Sequence, residues 1–223
     1  MKPTQLNHAR VLIHSLVAST LILLPLARAA EKKPEKAPGE NALADGGFEE
    51  IQDVDATTGY YQKAIKDGIK LNADENALLI QVPGKMLDQF CGAKKFIVVE
   101  GAPGKEVHSG KYALLLNGGF YLKIPPAGFL KVQPGEAYEF TCWAKGDGKV
   151  AVYFHLLDDQ KNSCGEGICK PQWVKTEGDD WETVSQRIEV RNEKAAWAHV
   201  RLHAEGGDVA LDDLIIRRVP ESK

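Results

Sequence analysis

From Gly110 onward, apolar and polar residues alternate in short runs broken by Gly and Pro. Tyr112–Asn117 is an apolar run. In 120–124, Phe120, Leu122 and Ile124 share one face, with Tyr121 and Lys123 on the other. Pro125-Pro126 stops that run, and Phe129–Gln133 ends at the turn signal Pro134-Gly135. In Tyr138–Lys145, the residues Tyr138, Phe140, Cys142 and Ala144 oppose Glu139, Thr141, Trp143 and Lys145. Gly146-Asp147-Gly148 reads as a hairpin loop leading into Lys149–Leu157, where Val150, Val152, Phe154 and Leu156 face inward. Residues 158–180 read as a long polar loop. Trp181–Arg191 predicts a strand, as does Trp197–Ala204 with Ala198, Val200, Leu202 and Ala204 on one face. Gly206-Gly207 predicts a turn into a last strand, Val209–Val219. Upstream, Leu78–Val82 and Lys95–Val99 read as strands, and Tyr60–Asp67 as a helical turn or a strand. Short alternating runs with turns every ~8–12 residues predict an all-β chain, an antiparallel β-sandwich.

The N-terminus follows a different pattern. Residues 1–10 carry Lys2 and Arg10 and no acid, Val11–Leu26 is mostly apolar, and Ala27-Arg28-Ala29 fits a small-x-small cleavage site. Residues 1–29 are read as a secretory signal peptide. His14, Ser15, Ser19, Thr20 and Pro25 dilute the run and argue against a membrane anchor, and the absence of a nearby Cys argues against a lipoprotein. Residues 30–40, AEKKPEKAPGE, read as a flexible leader, which places the folded domain at 41–220. Removing Lys2, Arg10 and Arg28 takes the formal net charge from −3 to −6. An acidic chain is poorly suited to nucleic acid, and no later stretch is long and apolar enough to span a bilayer. The expected location is therefore exported, periplasmic or extracellular.

Four segments resemble a known family. They are Asn41-Ala42-Leu43-Ala44-Asp45-Gly46-Gly47-Phe48-Glu49, Val107-His108-Ser109-Gly110-Lys111-Tyr112-Ala113-Leu114, the run from Gln133 to Gly146, and Leu211-Asp212-Asp213-Leu214. In that order they resemble carbohydrate-binding modules of the family 4/9 type, in the galactose-binding-like jelly-roll superfamily. The first departs from the pattern, with Asp45 where the family has Asn, and residues 50–106 match poorly. The resemblance implies a jelly roll that binds a polysaccharide or glycoconjugate without catalysis. It also implies one structural Ca²⁺ held by Glu49, Asp212 and main-chain oxygens near Gly47, Ser109 and Lys111. Oxygen ligands of this kind suit calcium and would tie the chain ends together.

Strand parity puts Trp143, Tyr153, His155, His199, Arg201 and His203 away from the core, with Tyr121 and Lys123 as further candidates. Rings stack on the apolar faces of sugars, and His and Arg bond to hydroxyls. Trp143 and Tyr153 are therefore expected to stack, with His155, Arg201 and His203 as polar contacts. The opposing reading has this face covered by residues 50–106 or 158–180. His199 and His203 lie about 13 Å apart along a strand, too far to share a metal. Cys164 and Cys169 flank two glycines in an exported loop and are expected to form a disulfide, with Cys91–Cys142 as the other pair and a buried thiol as the alternative for Cys142. The acid doublets are sequence neighbours, Asp212 and Asp213 among them, and diverge on strands. No nucleophile elbow, H-E-x-x-H or P-loop is present. A sandwich-fold hydrolase or lyase is the weaker alternative. A cell-envelope scaffold or protein-interaction domain is the stronger one.

Overall fold

The computed structural model describes residues 39–57, 59–71, 79–169 and 172–220, with the side chains of 165–168 excepted. The expected signal peptide (1–29) and most of the leader (30–40) lie outside the described residues. In chain order the elements are β1 (Ile51–Asp55), α1 (Gly59–Lys66), β2 (Leu79–Pro83), β3 (Leu87–Phe90), β4 (Lys95–Glu100), β5 (Tyr112–Leu122), β6 (Leu130–Lys131), β7 (Ala137–Lys145), β8 (Gly148–Leu157), β9 (Ser163–Ile168), β10 (Val174–Thr176), β11 (Glu182–Glu189) and β12 (Trp197–Val219). Strands β1 and β2 pair with each other, and the other ten form one hydrogen-bonded ladder. The fold is an all-β, antiparallel sandwich.

The sandwich is made by folding that ladder. β12 runs unbroken for 23 residues. Its first half pairs with β8 and its second half with β7, while β5 accompanies both. No register joins β7 to β8, so Gly146-Asp147 is a corner and not the expected hairpin loop. Gly206-Gly207 is likewise not a turn between two strands. Ala204 pairs with Gly118 and Val209 with Leu116, so residues 205–208 bulge opposite Asn117. A bulge of this kind bends a strand and lets it pass from one layer to the other. Gly118 sits at the same bend with φ +101°, a conformation that favours glycine, and a side chain there would strike the Gly92 carbonyl.

The bends create two leaves. The first holds β3, the end of β5, the start of β12, β8, β9 and β10. The second holds β4, the start of β5, the end of β12, β7 and β11. They face each other: the Tyr138 ring on β7 lies 5.4 Å from that of Phe154 on β8. Phe48, Phe96, Phe120, Phe140 and Phe154 are fully buried between them. Gln186 of β11 also crosses the gap. Its Oε1 accepts from the Val152 N–H at 2.9 Å and its Nε2 donates to the Val152 carbonyl at 2.9 Å. Val152 lies where neither β10 nor β9 pairs with the outer edge of β8, so the amide stands in for a missing strand.

The segment 158–180, read as a loop, contains β9 and β10 along the edge of β8. Edge strands bury little, so their sequence does not alternate. Tyr60–Asp67 resolves as α1, which buries only Ala64, while its Tyr60 stacks on Phe90 at 5.5 Å. The segment before β1 is fastened to the last strand: Asn41 Oδ1 accepts from the N–H groups of Leu43 and Ile216, and Asn41 Nδ2 donates to the Leu214 carbonyl. Among the described residues, no helix is long and apolar enough to cross a membrane.

Candidate functional site

Register places Tyr153, Arg201 and Tyr121 side by side on β8, β12 and β5, all on the outer face of the first leaf. The neighbouring rows carry His155 opposite His199, and His203 opposite Gly119. Gly119 is what lets the polar groups lie flat. A Cβ there would sit 2.5 Å from His203 Nδ1 and 3.0 Å from Arg201 Nε. Arg201 Nη2 donates to the Cys91 carbonyl and to His203 Nδ1, both at 2.9 Å, and the guanidinium lies 5.5 Å from the Tyr153 ring centre. Because His203 Nδ1 accepts, its proton sits on Nε2. Burial, with the Arg201 charge adding to it, holds the His203 pKa below the ordinary imidazole value.

Trp173, which precedes β10, completes the ring cluster. Its ring meets His203 edge-on at 5.7 Å and Tyr153 at 6.0 Å, and Tyr153 meets His203 at 6.1 Å. Lys149 Nζ lies 4.9 Å from the Trp173 ring centre and pairs with Glu205 at 2.7 Å. Trp173 also walls a cavity of about 630 Å³, shared with Lys149, Lys175, Thr176, Glu177 and Glu205. Thr176 is buried, and its Oγ1 has no hydrogen-bond partner. The sequence carried no signal for Trp173, because it lies in the segment without alternation.

The other end of this face is partly covered. His199 is buried beneath Tyr121, stacked at 3.8 Å, and Phe129, at 4.9 Å, and its Nε2 donates to Asp88 Oδ2 at 2.8 Å. Burial holds its pKa down against the opposing pull of Asp88. Lys161 Nζ lies over Phe129 and Trp197, and His155 Nε2 shares a 3.2 Å hydrogen bond with Ser163 Oγ. Tyr121, Phe129 and Asp88 thus enclose His199, while Tyr153, Arg201 and His203 stay half-buried, with the Cys91 carbonyl bonded to Arg201.

Tyr153, Arg201 and His203 come together; His155 shares their face but lies at its His199 end, bonded to Ser163, and Trp143 does not join them. Trp143 is outward-facing on β7, in the second leaf, with its ring stacked on His108 at 3.9 Å and the His108 ring 5.9 Å from Trp181. Parity gave "outward" correctly for both β7 and β8. Since the leaves face each other, outward on one is the opposite side of the molecule from outward on the other.

The residues expected around calcium do converge. A Cβ on Gly47 would lie 3.4 Å from Asp213 Oδ1 and 4.0 Å from Asp212 Oδ1. Glu49 Oε1 accepts from the main-chain N–H groups of Lys111 at 2.9 Å and Tyr112 at 3.3 Å. Asp212 Oδ2 accepts from the N–H groups of His108 at 3.0 Å and Ser109 at 3.1 Å, and its Oδ1 from that of Asp213 at 2.7 Å. Calcium requires about six to eight oxygens turned toward one point. Here the carboxylates are turned toward N–H donors, and Lys111 presents its N–H to Glu49. Among the described residues, no group of three or more His, Cys, Asp or Glu is arranged to hold a metal ion. These bonds fasten the first segment and residues 108–112 to β12. Burial raises the Asp212 pKa to about 6, despite the three N–H donors.

His108 Nδ1 and Ser109 Oγ both bond to Asp213, at 2.7 and 2.9 Å, so the imidazole is not aimed at the hydroxyl. The expected Cys164–Cys169 disulfide is absent: all four cysteines are free thiols. Cys169 Sγ is turned instead to the Glu189 carbonyl at 3.5 Å, across the sandwich edge. Cys142 is buried in the core, and Cys91 lies in the loop over Arg201, where burial raises its thiol pKa to about 11.

No family model and no curated protein matches this chain. Solved structures do. The enzymatically active domain of tailspike protein 4 from bacteriophage CBA120 aligns at 12% identity and TM-score 0.44, over 80% of this chain and 21% of that one. TmCBM61, solved with β-1,4-galactotriose, aligns at 18% identity and TM-score 0.37, over 80% of this chain and 99% of its own. The carbohydrate-binding module CBM6cm-2 from Cellvibrio mixtus lichenase 5A, solved with cellotriose, aligns at 13% identity and TM-score 0.39, over 61% of this chain and 92% of its own.

Proposed function

We propose that the outer face of the first leaf binds carbohydrate without catalysis, in an exported protein. The observation that carries this is the continuity of the Trp173–Tyr153–His203 ring cluster with the cavity that Trp173 walls. A volume of about 630 Å³ falls in the range of small-ligand sites. In this reading the C–H surface of a sugar packs on these rings. His203 Nε2–H and Lys149 supply donors for hydroxyls. The acids that line the cavity are engaged: Glu205 pairs with Lys149, Glu177 pairs with Lys175, and Asp147 accepts from the Gly178 N–H.

The test is a glycan array, followed by affinity electrophoresis on the polysaccharide retained. Trp173→Ala and Tyr153→Ala should each weaken binding by at least about ten-fold, as buried aromatic anchors do. Trp143→Ala, on the opposite side of the molecule, should leave it unchanged. Retention of binding in both ring variants, or its loss only in Trp143→Ala, would move the site to the other leaf. A well-folded protein that binds no glycan would favour the protein-interaction reading.

A further inference from the structure

Arg201 distinguishes this face from a neutral sugar platform. The structure assigns it a cation that the protein itself does not neutralise. Arg201 Nη2 is held by a carbonyl and an imidazole nitrogen, both uncharged acceptors, and Nε is buried with no partner. Among the described residues, no carboxylate lies in ion-pair contact with the guanidinium. Nη1 has no hydrogen-bond partner either and is not among the buried unpartnered atoms, so it meets solvent. The carboxylates nearest this face are already engaged: Asp88 with His199, and Glu205 with Lys149. Lys161, on the same face, rests on two rings and no acid. A half-buried guanidinium costs solvation that an ion pair ordinarily returns. Its planar fork matches a carboxylate better than any other small acceptor.

Resting on the carbohydrate reading above, we infer that the ligand is an acidic glycan. In this assignment a uronic acid ring packs beside Tyr153, and its carboxylate meets Arg201 Nη1. The register supports the geometry, because Tyr153 and Arg201 are direct cross-strand partners with Tyr121 beyond. The guanidinium lies over the Tyr153 ring at 5.5 Å from its centre, so a sugar packed beside that ring is within reach of Arg201. The protein is itself acidic, with a formal net charge of −3, so a local cation is needed to draw an anionic polymer. The loop that supplies the Cys91 carbonyl and the bare Gly119 backbone hold the guanidinium in place before any ligand arrives.

The experiment compares polygalacturonate and alginate with the same polymers after chemical reduction of their carboxyl groups, which keeps the sugar rings and removes the charge. Binding of the intact protein is measured by affinity electrophoresis and calorimetry at low and high salt. Wild type should prefer at least one acidic polymer over its reduced form by roughly ten- to a hundred-fold, the worth of one charge-assisted pair. That preference should shrink with added salt. Arg201→Gln should abolish the preference, Arg201→Lys should keep part of it, and Trp173→Ala should weaken acidic and reduced forms alike. Circular dichroism separates loss of binding from loss of fold, and the acidic-against-reduced comparison on wild type needs no variant. Equal binding of acidic and reduced polymers, with the Trp173 dependence intact, would overturn the acidic assignment and leave the carbohydrate reading standing. Absence of binding to these polymers and to the glycan array would overturn both.

Discussion

Replacing Gln186 by Leu tests whether one amide holds the first leaf against the second. Gln186 is 3% exposed and makes two 2.9 Å hydrogen bonds with the main chain of Val152, which is fully buried. Leucine keeps a similar shape and removes both partners at once. Val152, fully buried, then keeps an N–H and a carbonyl with no strand on that side. Each unsatisfied buried group costs about 1–3 kcal/mol, so the pair costs roughly 4. The more apolar side chain returns about 1 kcal/mol. The expected loss is about 3 kcal/mol, a large share of the ~5–15 kcal/mol that holds a domain together. Urea titration followed by tryptophan fluorescence measures it directly. With a slope near ~2 kcal/mol per molar, the midpoint should fall by about 1.5 M. Gln186→Glu should be worse at neutral pH, because it buries a charge and loses a donor. A loss below about 1 kcal/mol for Leu would show that β8 repairs its edge by other means. In that case the argument that Gln186 replaces a missing strand beside Tyr153 would be wrong.

Three further outcomes follow from the site. Gly119→Ala should weaken glycan binding by at least about ten-fold, with a stability change of only ~1–3 kcal/mol, because a methyl group there pushes the Arg201 and His203 side chains off the sheet; unchanged affinity by calorimetry would refute the cradle. Asp212 has a native pKa of about 6, above its ordinary 3.8, so protonation favours the native state. Its contribution is therefore fully present below about pH 4 and is lost as the pH rises through 6. The stability of wild type relative to Asp212→Asn should fall across that window in a series of thermal melts, and a flat difference would contradict the burial assignment. Because the Glu49–Asp212 assembly is capped by N–H donors, millimolar calcium or a chelator should move the melting temperature by less than about 2 °C; a shift several times larger would mean that calcium displaces those donors.

The alternation of apolar and polar residues was enough to establish an all-β chain, its inward row and its outward row. Val150, Val152, Phe154 and Leu156 are buried and Tyr153 and His155 are outward, because a strand's side chains alternate by local geometry alone. Three of the four motifs also brought Gly47, Glu49, Ser109, Lys111 and Asp212 to one place, although the direction of their donors was invisible in the sequence. Two things were decided only by tertiary structure. The first is which side of the molecule each outward row occupies. That depends on the bends at Gly146-Asp147 and at residues 205–208, which are fixed by pairings many residues away, and it separates Trp143 from Tyr153. The second is what each charged or aromatic group meets. Trp173 enters the cluster from a segment whose edge strands bury too little to leave a pattern. The lack of an acid beside Arg201 among the described residues is a property of everything packed around it, so no local stretch of sequence encodes it.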